Sequence, residues 1–205
     1  ANSWSMKVPD KVTAIKGNPA VLPCTFTSPN KEIITVIWRI LKHFTGQQIF
    51  NCTQEVITSA VCTSKNENSR YRLVGDPRQK NLSLLIDNVG YEDSMKYFCR
   101  VELNTGKYET QTGTDLHVIT PARILNLTVL KNTTNGFSLL CLVEGKPLPK
   151  ITWIGPGNRE IPATNSASLV SQLEIPPDQM QGQMQNVMED GNYTCKAVNE
   201  HGIAE

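Results

Sequence analysis

One pattern of cysteine, tryptophan and tyrosine occurs twice along this chain of 205 residues. The two copies are Cys24, Trp38, Tyr97 and Cys99, followed by Cys141, Trp153, Tyr193 and Cys195. In each copy the tyrosine stands two positions before the second cysteine. A chain of this length is long for one small β domain and sufficient for two of about 100 residues each. The repeat therefore predicts two domains built alike.

The segments around these residues have the character of short β-strands. TVIWRIL, YRLV and NLSLLI alternate in polarity, and no stretch keeps a helical apolar period over about ten residues. A buried tryptophan against a disulfide between two sheets, with a tyrosine two residues before the second cysteine, is typical of an immunoglobulin-like β-sandwich. We therefore predict an all-β protein made of two tandem immunoglobulin-like β-sandwiches.

The predicted domains are residues 1–119 and 120–205, with the sequence ITPA at their junction. The tryptophan and the second cysteine stand farther apart in the first copy than in the second. This leaves room for extra C′ and C″ strands, which makes the first domain V-set and the second C2- or I-type. The sequence stops at NEHGIAE, where we expect the last strand of the second domain to be truncated.

Six cysteines allow 15 disulfide pairings, and topology has to choose among them. The repeated pattern favours Cys24–Cys99 and Cys141–Cys195, and elimination leaves Cys52–Cys62; the alternative is that Cys52 and Cys62 are two unrelated thiols. Each long bridge should stabilise the fold by about 4 kcal/mol. Without CxxC or a Cys/His cluster, the thiols indicate disulfides made in an oxidising compartment rather than a metal or redox site, so neither metal nor cofactor is expected.

Five N-x-S/T sequons also point to secretion. The candidates for glycosylation are Asn81, Asn126, Asn132 and Asn192. Asn51 has cysteine in the middle of its sequon, and we predict that it is not used. No charged-then-apolar leader and no apolar run of about 20 residues is present. We expect the extracellular part of a single-pass plasma-membrane protein whose anchor is not in this chain.

The charges argue against several classes of function. The chain has 20 Lys and Arg against 19 Asp and Glu, whereas nucleic-acid or anionic-membrane binding needs a surface of one sign. The three histidines fall in different loops or strand ends, and no GxSxG, HExxH or phosphate-binding glycine loop occurs. We predict neither an enzyme nor a nucleic-acid-binding protein.

The stretch YFCRVE places Arg100 directly after Cys99. Because side chains alternate between the faces of a strand, an inward Cys99 sends Arg100 outward, together with Phe98 and Glu102. The outer face is that of the sheet formed by strands G, F, C and C′, where Arg39 also points outward. An arginine on a flat, rigid strand is well placed to donate two parallel hydrogen bonds to a carboxylate.

Two interpretations of Arg100 stay open on these residues alone. In one, it is a solvated strand residue paired with Glu102 or Glu109, an exposed ion pair worth about 0–1 kcal/mol. In the other, it holds the carboxylate of a ligand. Tyr108 favours the second, since an aromatic ring at the start of strand G can stack on the apolar part of that ligand.

Several motifs of the first domain resemble those of one family. They are WSMKVP, AVLPCTFT, IWR, RYRLVGDPR, NLSL and KYFCRVE, with YET and LHV in strand G. On these residues the chain resembles the sialic-acid-binding immunoglobulin-like lectins, the siglecs, and within them the branch numbered fifteen. The resemblance covers the first domain almost end to end and extends more generically into the second.

The resemblance implies a role for each matching residue. Arg100 would form a salt bridge with the carboxylate of sialic acid. Tyr108 would stack on its glycerol chain, with Lys107 as a polar neighbour, and Trp4 would touch the N-acetyl group. The C–C′ loop, roughly residues 42–47, would tune the preference for the next sugar.

Other interpretations accompany these roles. Trp4 could instead cover the sheet edge, and Tyr108 could pack across the strands on Phe98 or Arg100. Most siglecs carry a strand-E cysteine and an interdomain bridge. This chain has neither, and its expected bridges match the branch numbered fifteen.

The implied function is that of a cell-surface receptor that binds terminal sialic acid for cell recognition and immune signalling. Its partners would be sialylated glycans and glycoproteins, and a signalling adaptor of myeloid-lineage cells reached through a membrane segment absent here. The alternative is a glycan-independent receptor of the costimulatory type, which binds a protein counter-receptor on the same G-F-C-C′ face.

The sequence also predicts two structural features, one in each domain. Arg70 or Arg72 should pair with Asp93 across the bottom of the first domain. Methionines at positions 180, 184 and 188 could mark a helical turn packed on the core of the second domain.

Overall fold

The computed structural model describes residues 4–28, 35–53, 69–131, 136–165 and 175–205. It forms two compact units, Ala1–Val118 and Ile119–Glu205. Regular structure in the described residues is almost all β, and the helical elements there are the short 3-10 helices Pro77–Gln79, Tyr91–Asp93 and Pro156–Asn158. None of the helices in that part of the chain is long and apolar enough to cross a membrane. The predicted all-β class is confirmed.

The strands of the first unit are mostly three to eight residues long. They are β1 (Ser5–Lys7), β2 (Lys11–Ile15), β3 (Ala20–Leu22), β4 (Thr25–Thr27), β5 (Thr35–Ile40), β6 (Gln47–Thr53), β7 (Tyr71–Leu73), β8 (Leu84–Ile86), β9 (Lys96–Leu103) and β10 (Gly106–Glu109). Strand β11 (Thr114–Lys131) begins here and continues into the second unit.

In the described residues of the first unit, two antiparallel sheets face each other, and β1 and β4 form a further two-stranded sheet. Strands β10, β9, β5 and β6 lie side by side and correspond to G, F, C and C′; we call them the GFCC′ sheet. Strands β3, β8 and β7 form the opposing sheet. This is the arrangement in which Arg100 was expected on the outer face of the GFCC′ sheet.

The core of the first unit surrounds Trp38. The indole is fully buried, and its Nε1–H donates a hydrogen bond to the backbone oxygen of Leu82 at 3.0 Å. Tyr97 closes the bottom of the core, since its hydroxyl donates to the backbone oxygen of Asp93 at 2.7 Å. Burial raises the pKa of the Tyr97 hydroxyl. The buried positions of Trp38 and Tyr97 agree with the immunoglobulin pattern predicted from the sequence.

Arg70, and not Arg72, is the partner of Asp93. Its Nη1 and Nη2 donate to the two carboxylate oxygens at 2.9 and 2.8 Å. These hydrogen bonds hold the pKa of Asp93 below its ordinary value, and they raise the pKa of Arg70. The pair has a structural role, because it ties the chain before β7 to the turn before β9.

The second unit contains the rest of β11 and the remaining strands. They are β12 (Phe137–Lys146), β13 (Lys150–Ile154), β14 (Glu160–Pro162), β15 (Thr164–Asn165), β16 (Gln179–Val187), β17 (Thr194–Asn199) and β18 (Gly202–Ala204). In the described residues β11, β12, β16 and β15 form one sheet, and β14, β13, β17 and β18 form the other. Trp153 is fully buried between them.

The methionine-rich segment is a strand and not the expected helical turn. Most of it belongs to β16, which pairs with β12, and Met180 and Met184 pack against the core. Met188 lies just beyond the strand and is exposed. A spacing of four residues satisfies the two-residue period of a strand as well as a helical period. The methionine spacing therefore could not distinguish the two structures.

Disulfides join the sheets of each unit. The structure contains the Cys24–Cys99 and Cys141–Cys195 bridges, which close sequence separations of 75 and 54 residues. Cys52 lies in β6 and is disulfide-bonded. Its expected partner Cys62 is outside the described residues.

The sequons differ in their surroundings. Asn126 and Asn192 are exposed. Asn81 is half-buried, and its side-chain oxygen accepts hydrogen bonds from the backbone N–H and the hydroxyl of Ser83 at 3.1 and 2.6 Å. Asn132 lies outside the described residues. Glycosylation at these four sites stays a prediction.

Candidate functional site

The register of the GFCC′ sheet decides which side chains share its outer face. On β10 and β9, Glu109 lies opposite Arg100 and Lys107 lies opposite Glu102. Directly opposed residues of an antiparallel pair project to the same side. One face of the sheet therefore presents two carboxylates and two cations from neighbouring strands, on the side opposite the buried Cys99.

Arg100 is buried on this outer face, with 5% of its surface exposed. Its Nε and Nη2 both donate to one carboxylate oxygen of Glu102 at 3.1 Å. Its Nη1 lies 3.9 Å from Glu109 Oε1 and has no hydrogen-bond acceptor among the described residues. The expected partners are present, but the expectation of a solvated, openly presented arginine is corrected.

The side chain of Phe44 covers Arg100. The ring centroid lies 4.9 Å from the guanidinium carbon, a cation–π arrangement. Phe44 belongs to the loop between β5 and β6, which is the C–C′ loop. Its neighbour His43 lies 6.0 Å from the ring of Phe98. The loop therefore folds back over Phe98 and Arg100, two of the residues of β9 that strand alternation places on the outer face.

Glu109 holds this loop against the sheet. Its side chain is fully buried; Oε1 accepts from Nε of Arg39 at 3.0 Å. Oε2 accepts from the backbone N–H of Phe44 and lies 3.0 Å from Nδ1 of His43. Arg39 in turn donates from Nη1 to the backbone oxygen of Gly46 at 3.2 Å. Glu109 therefore contacts both arginines and the loop.

Charge is nearly balanced within this cluster. Arg39 and Arg100 face Glu102 and Glu109 at ion-pair distances. Buried charges are tolerated only when they are paired and hydrogen-bonded. The pairing of the Arg100 guanidinium is incomplete, since Nη1 lacks an acceptor in the described residues. This leaves one cationic donor to which an additional carboxylate could bind.

Trp4 and Tyr108 come together elsewhere on the first unit. Their ring centroids are 4.2 Å apart, and Tyr108 also contacts Phe26 with centroids 5.6 Å apart. Tyr108 lies opposite the buried Val101 in the register, so it faces the core side of the sheet rather than the side of Arg100. The alternative that Tyr108 packs on Phe98 or Arg100 is therefore wrong. Trp4 remains 45% exposed beside it.

The sequence did not predict that Phe44 covers Arg100. Phe44 falls within the C–C′ loop named there, but nothing in LKHFTG shows that the ring turns onto the sheet. The conformation depends on a left-handed backbone at Phe44, with φ of 66°, and on the contact of its N–H with Glu109. Glu109 was identified only as a possible partner of Arg100.

Comparison with known families gives the identity of both units. Residues 7–119 match the immunoglobulin V-set domain family, and residues 125–205 match the immunoglobulin I-set domain family. The chain belongs to the immunoglobulin V-set family. Apart from Trp4, the residues described above as the candidate site lie within the V-set match.

Individual relatives are lectins by name. Sialic acid-binding Ig-like lectin 15 of Homo sapiens is 37% identical over 213 residues, which cover all of this chain and 63% of the relative. Sialic acid-binding Ig-like lectin 13 of Pan troglodytes is 28% identical over 186 residues, or 85% of this chain and 48% of the relative. The chain thus spans about half to two thirds of these relatives. The resemblance to the siglecs is confirmed.

Solved structures agree on the fold. Bovine butyrophilin matches with a TM-score of 0.62 at 14% sequence identity, over 96% of this chain and 92% of that one. At this identity the likeness concerns the tandem immunoglobulin fold alone.

Proposed function

We propose that this chain is part of a non-enzymatic cell-surface receptor whose V-set domain binds terminal sialic acid on glycans. The similarity to the sialic acid-binding Ig-like lectins supports the substrate class. The observation that carries the proposal is the state of Arg100: a buried cation with a donor, Nη1, that lacks an acceptor in the described residues. A ligand carboxylate supplies the missing acceptor.

The chemistry of binding follows from the guanidinium edges. Glu102 occupies the edge formed by Nε and Nη2. The edge formed by Nη1 and the second hydrogen of Nη2 is the one that a sialic acid carboxylate would take, in two parallel charge-assisted hydrogen bonds. Glu102 then orients Arg100 from one side while the ligand binds from the other.

The neighbouring residues contribute the remaining contacts in this proposal. Lys107, opposite Glu102 in the register, supplies a polar contact on the side of Arg100. Trp4 and Tyr108 pack together on the other side of β10, so they contact the N-acetyl group and the glycerol chain only where the ligand reaches past that strand. The packed and partly exposed pair of Trp4 and Tyr108 supports an apolar contact surface. The core-side position of Tyr108 means that only its accessible edge is offered to a ligand.

The expected affinity is low. One ion pair and two ring contacts on a monosaccharide correspond to a dissociation constant near the millimolar range, or about −4 kcal/mol. Recognition of a cell surface then depends on clustered receptors and clustered glycans. At the cell surface, we place this chain in the extracellular part of a single-pass protein that signals through a membrane adaptor.

Saturation-transfer NMR with a sialylated trisaccharide tests the proposal. The wild type should show transfer to the N-acetyl and glycerol protons. Arg100→Ala should abolish it and Arg100→Lys should weaken it, because lysine lacks the planar fork. Arg123→Ala, which removes an exposed arginine of the second unit, is the matched control and should bind like the wild type. Equal transfer to the wild type and Arg100→Ala would refute the role of Arg100.

A protein counter-receptor on the GFCC′ sheet is the second candidate. Leu41 and Phe44 are exposed apolar side chains of the C–C′ loop, which joins two strands of that sheet, and aromatic side chains are enriched where proteins contact each other. Sialidase treatment of target cells separates the two functions. Loss of binding after treatment supports the lectin, whereas binding that survives both sialidase and Arg100→Ala supports the protein partner.

A further inference from the structure

The C–C′ loop adopts a conformation that its sequence does not favour. Leu41 and Phe44 have φ angles of 74° and 66°. Left-handed backbone at bulky residues costs energy and persists only where surrounding contacts enforce it. Such strain is common at binding sites, which makes the loop a candidate for a functional role.

The enforcing contacts come from the buried charges of the sheet. Glu109 accepts from the backbone N–H of Phe44, and Arg39 donates to the backbone oxygen of Gly46. A Cβ at Gly46 would overlap the backbone oxygens of Ile40 and Lys42, so only glycine fits there. The loop is therefore held at both its centre and its end, and the ring of Phe44 is directed onto Arg100.

The consequence for Arg100 is a loss of access. Phe44 keeps 57% of its own surface exposed, whereas Arg100 beneath it keeps only 5%. One edge of the guanidinium is occupied by Glu102, and its Nη1 has no acceptor in the described residues. A donor that could bind a carboxylate thus lies under an aromatic ring that is itself in contact with solvent.

We propose that Phe44 controls the access of carboxylate ligands to Arg100 and sets the affinity of the site. The inference rests on the proposed lectin function for its ligand, a sialic acid carboxylate. Because Nη1 is itself buried under the loop, the ligand reaches it only when the ring moves off the guanidinium, and the lost cation–π contact opposes binding. Glu109 and Arg39 act as positioning residues, since they hold the loop and touch no ligand.

A chemical probe tests the cover without any sialic acid. Phenylglyoxal modifies accessible arginines, and peptide mass spectrometry reports the rate at Arg100. Phe44→Ala should raise that rate at least about threefold, the effect of losing one exposed cation–π contact. Leu41→Ala is the matched control, because Leu41 is an exposed apolar residue of the same loop with the same backbone handedness. The rate at exposed Arg123 should not change in any variant.

A second substitution guards against misfolding. Phe44→Gly removes the ring and accepts the left-handed backbone without strain, so it should fold and give the same rise in the Arg100 rate. An Arg100 rate that stays at the wild-type value in both folded variants would overturn the inference.

Binding of the sialylated trisaccharide gives the functional result. Phe44→Ala should lower the dissociation constant by about three- to tenfold, while Leu41→Ala should leave it unchanged. Weaker binding by Phe44→Ala would overturn the inference, because the ring would then be a ligand contact. If Phe44→Ala raises the Arg100 rate but no protein binds the trisaccharide, the cover is upheld and the proposed lectin function fails.

Discussion

At the scale of single residues, the hydrogen bonds of a few polar side chains decide how the stability of the first domain depends on pH. Asp93 is the clearest case. It accepts from Arg70 at two oxygens and from the backbone N–H of Gly90. Its side chain is nearly buried while that of Arg70 is partly exposed, so solvent screens part of the interaction. The residue therefore links protonation to folding.

The Arg70–Asp93 pair predicts a loss of stability in acid. The folded-state pKa of Asp93 is depressed, so the unfolded chain binds more protons and stability falls as pH drops below the ordinary aspartate range and through that folded pKa. Asp93→Asn should cost about 1–2 kcal/mol near neutral pH and flatten this dependence. Thermal unfolding at several pH values measures both, with Asp115→Asn as control, since the side chain of Asp115 is half exposed and lies 4.0 Å from Lys96. A variant as acid-sensitive as the wild type would contradict the prediction.

At the scale of elements, loops and strand ends are fixed by side chains that reach across the sheets. Glu109 on β10 connects β5 and β9 with the C–C′ loop. Asn199 at the end of β17 contacts the backbone of β11 and of the turn after β12. In both cases one polar side chain satisfies groups from several elements, so its removal should affect more than one of them.

Glu109→Gln should destabilise the V-set domain by about 3–5 kcal/mol, because it leaves the largely buried Arg39 without its carboxylate partner and removes a carboxylate 3.9 Å from the buried Arg100. Chemical denaturation followed by tryptophan fluorescence measures the change. Glu102→Gln is the matched variant and should cost less, since Glu102 is partly exposed. Equal effects of the two substitutions would argue against the central position of Glu109.

Asn199→Ala should destabilise the second unit by about 1–3 kcal/mol. The side chain donates to the backbone oxygens of Thr120 and Pro147 at 2.9 and 3.0 Å, and its oxygen accepts from the N–H of Ala122 at 3.2 Å. Calorimetric unfolding of the whole chain gives the comparison. Glu200→Ala, at an exposed neighbouring position, should have little effect; an unchanged transition in Asn199→Ala would rule out a structural role for these bonds.

At the scale of the whole molecule, a single site of low affinity requires multivalent binding to hold the protein on a cell surface. The proposed contacts to one sialic acid are few, and the free energy available from them corresponds to about millimolar affinity. Presentation of several copies on one surface converts later binding events into intramolecular ones. The biological readout of such a receptor should therefore depend on its density more than on its single-site affinity.

Bivalent fusion of the chain should increase apparent affinity for a sialylated cell surface by about 10²–10⁴ over the monomer. Surface plasmon resonance on a densely sialylated glycoprotein measures this, with a desialylated surface as reference. The bivalent Arg100→Ala protein should lose the gain. A fusion that binds no better than the monomer on a dense surface would contradict binding to a repeated glycan.

The sequence determined the fold because its signals depend only on residue types and their spacing along the chain. Cys24, Trp38, Tyr97 and Cys99 have a spacing that few folds accommodate, and their repetition predicted both domains. Strand alternation likewise placed Arg100 on the outer face of the sheet, since only the positions of its neighbours in the chain are needed. The methionine segment failed for the same reason, because a four-residue spacing is compatible with both a strand and a helix.

The tertiary structure alone decided which side chains of the site are paired and which are buried. Register between β9 and β10 separated Arg100 from Tyr108 and placed Glu109 beside the guanidinium. The cover by Phe44 depends on a strained loop held by contacts between residues far apart in sequence. Strand alternation predicts which face of the sheet a side chain is on. Whether that side chain is buried depends on the segments that fold over it. Those contacts join residues far apart in sequence, and alternation along one strand does not encode them.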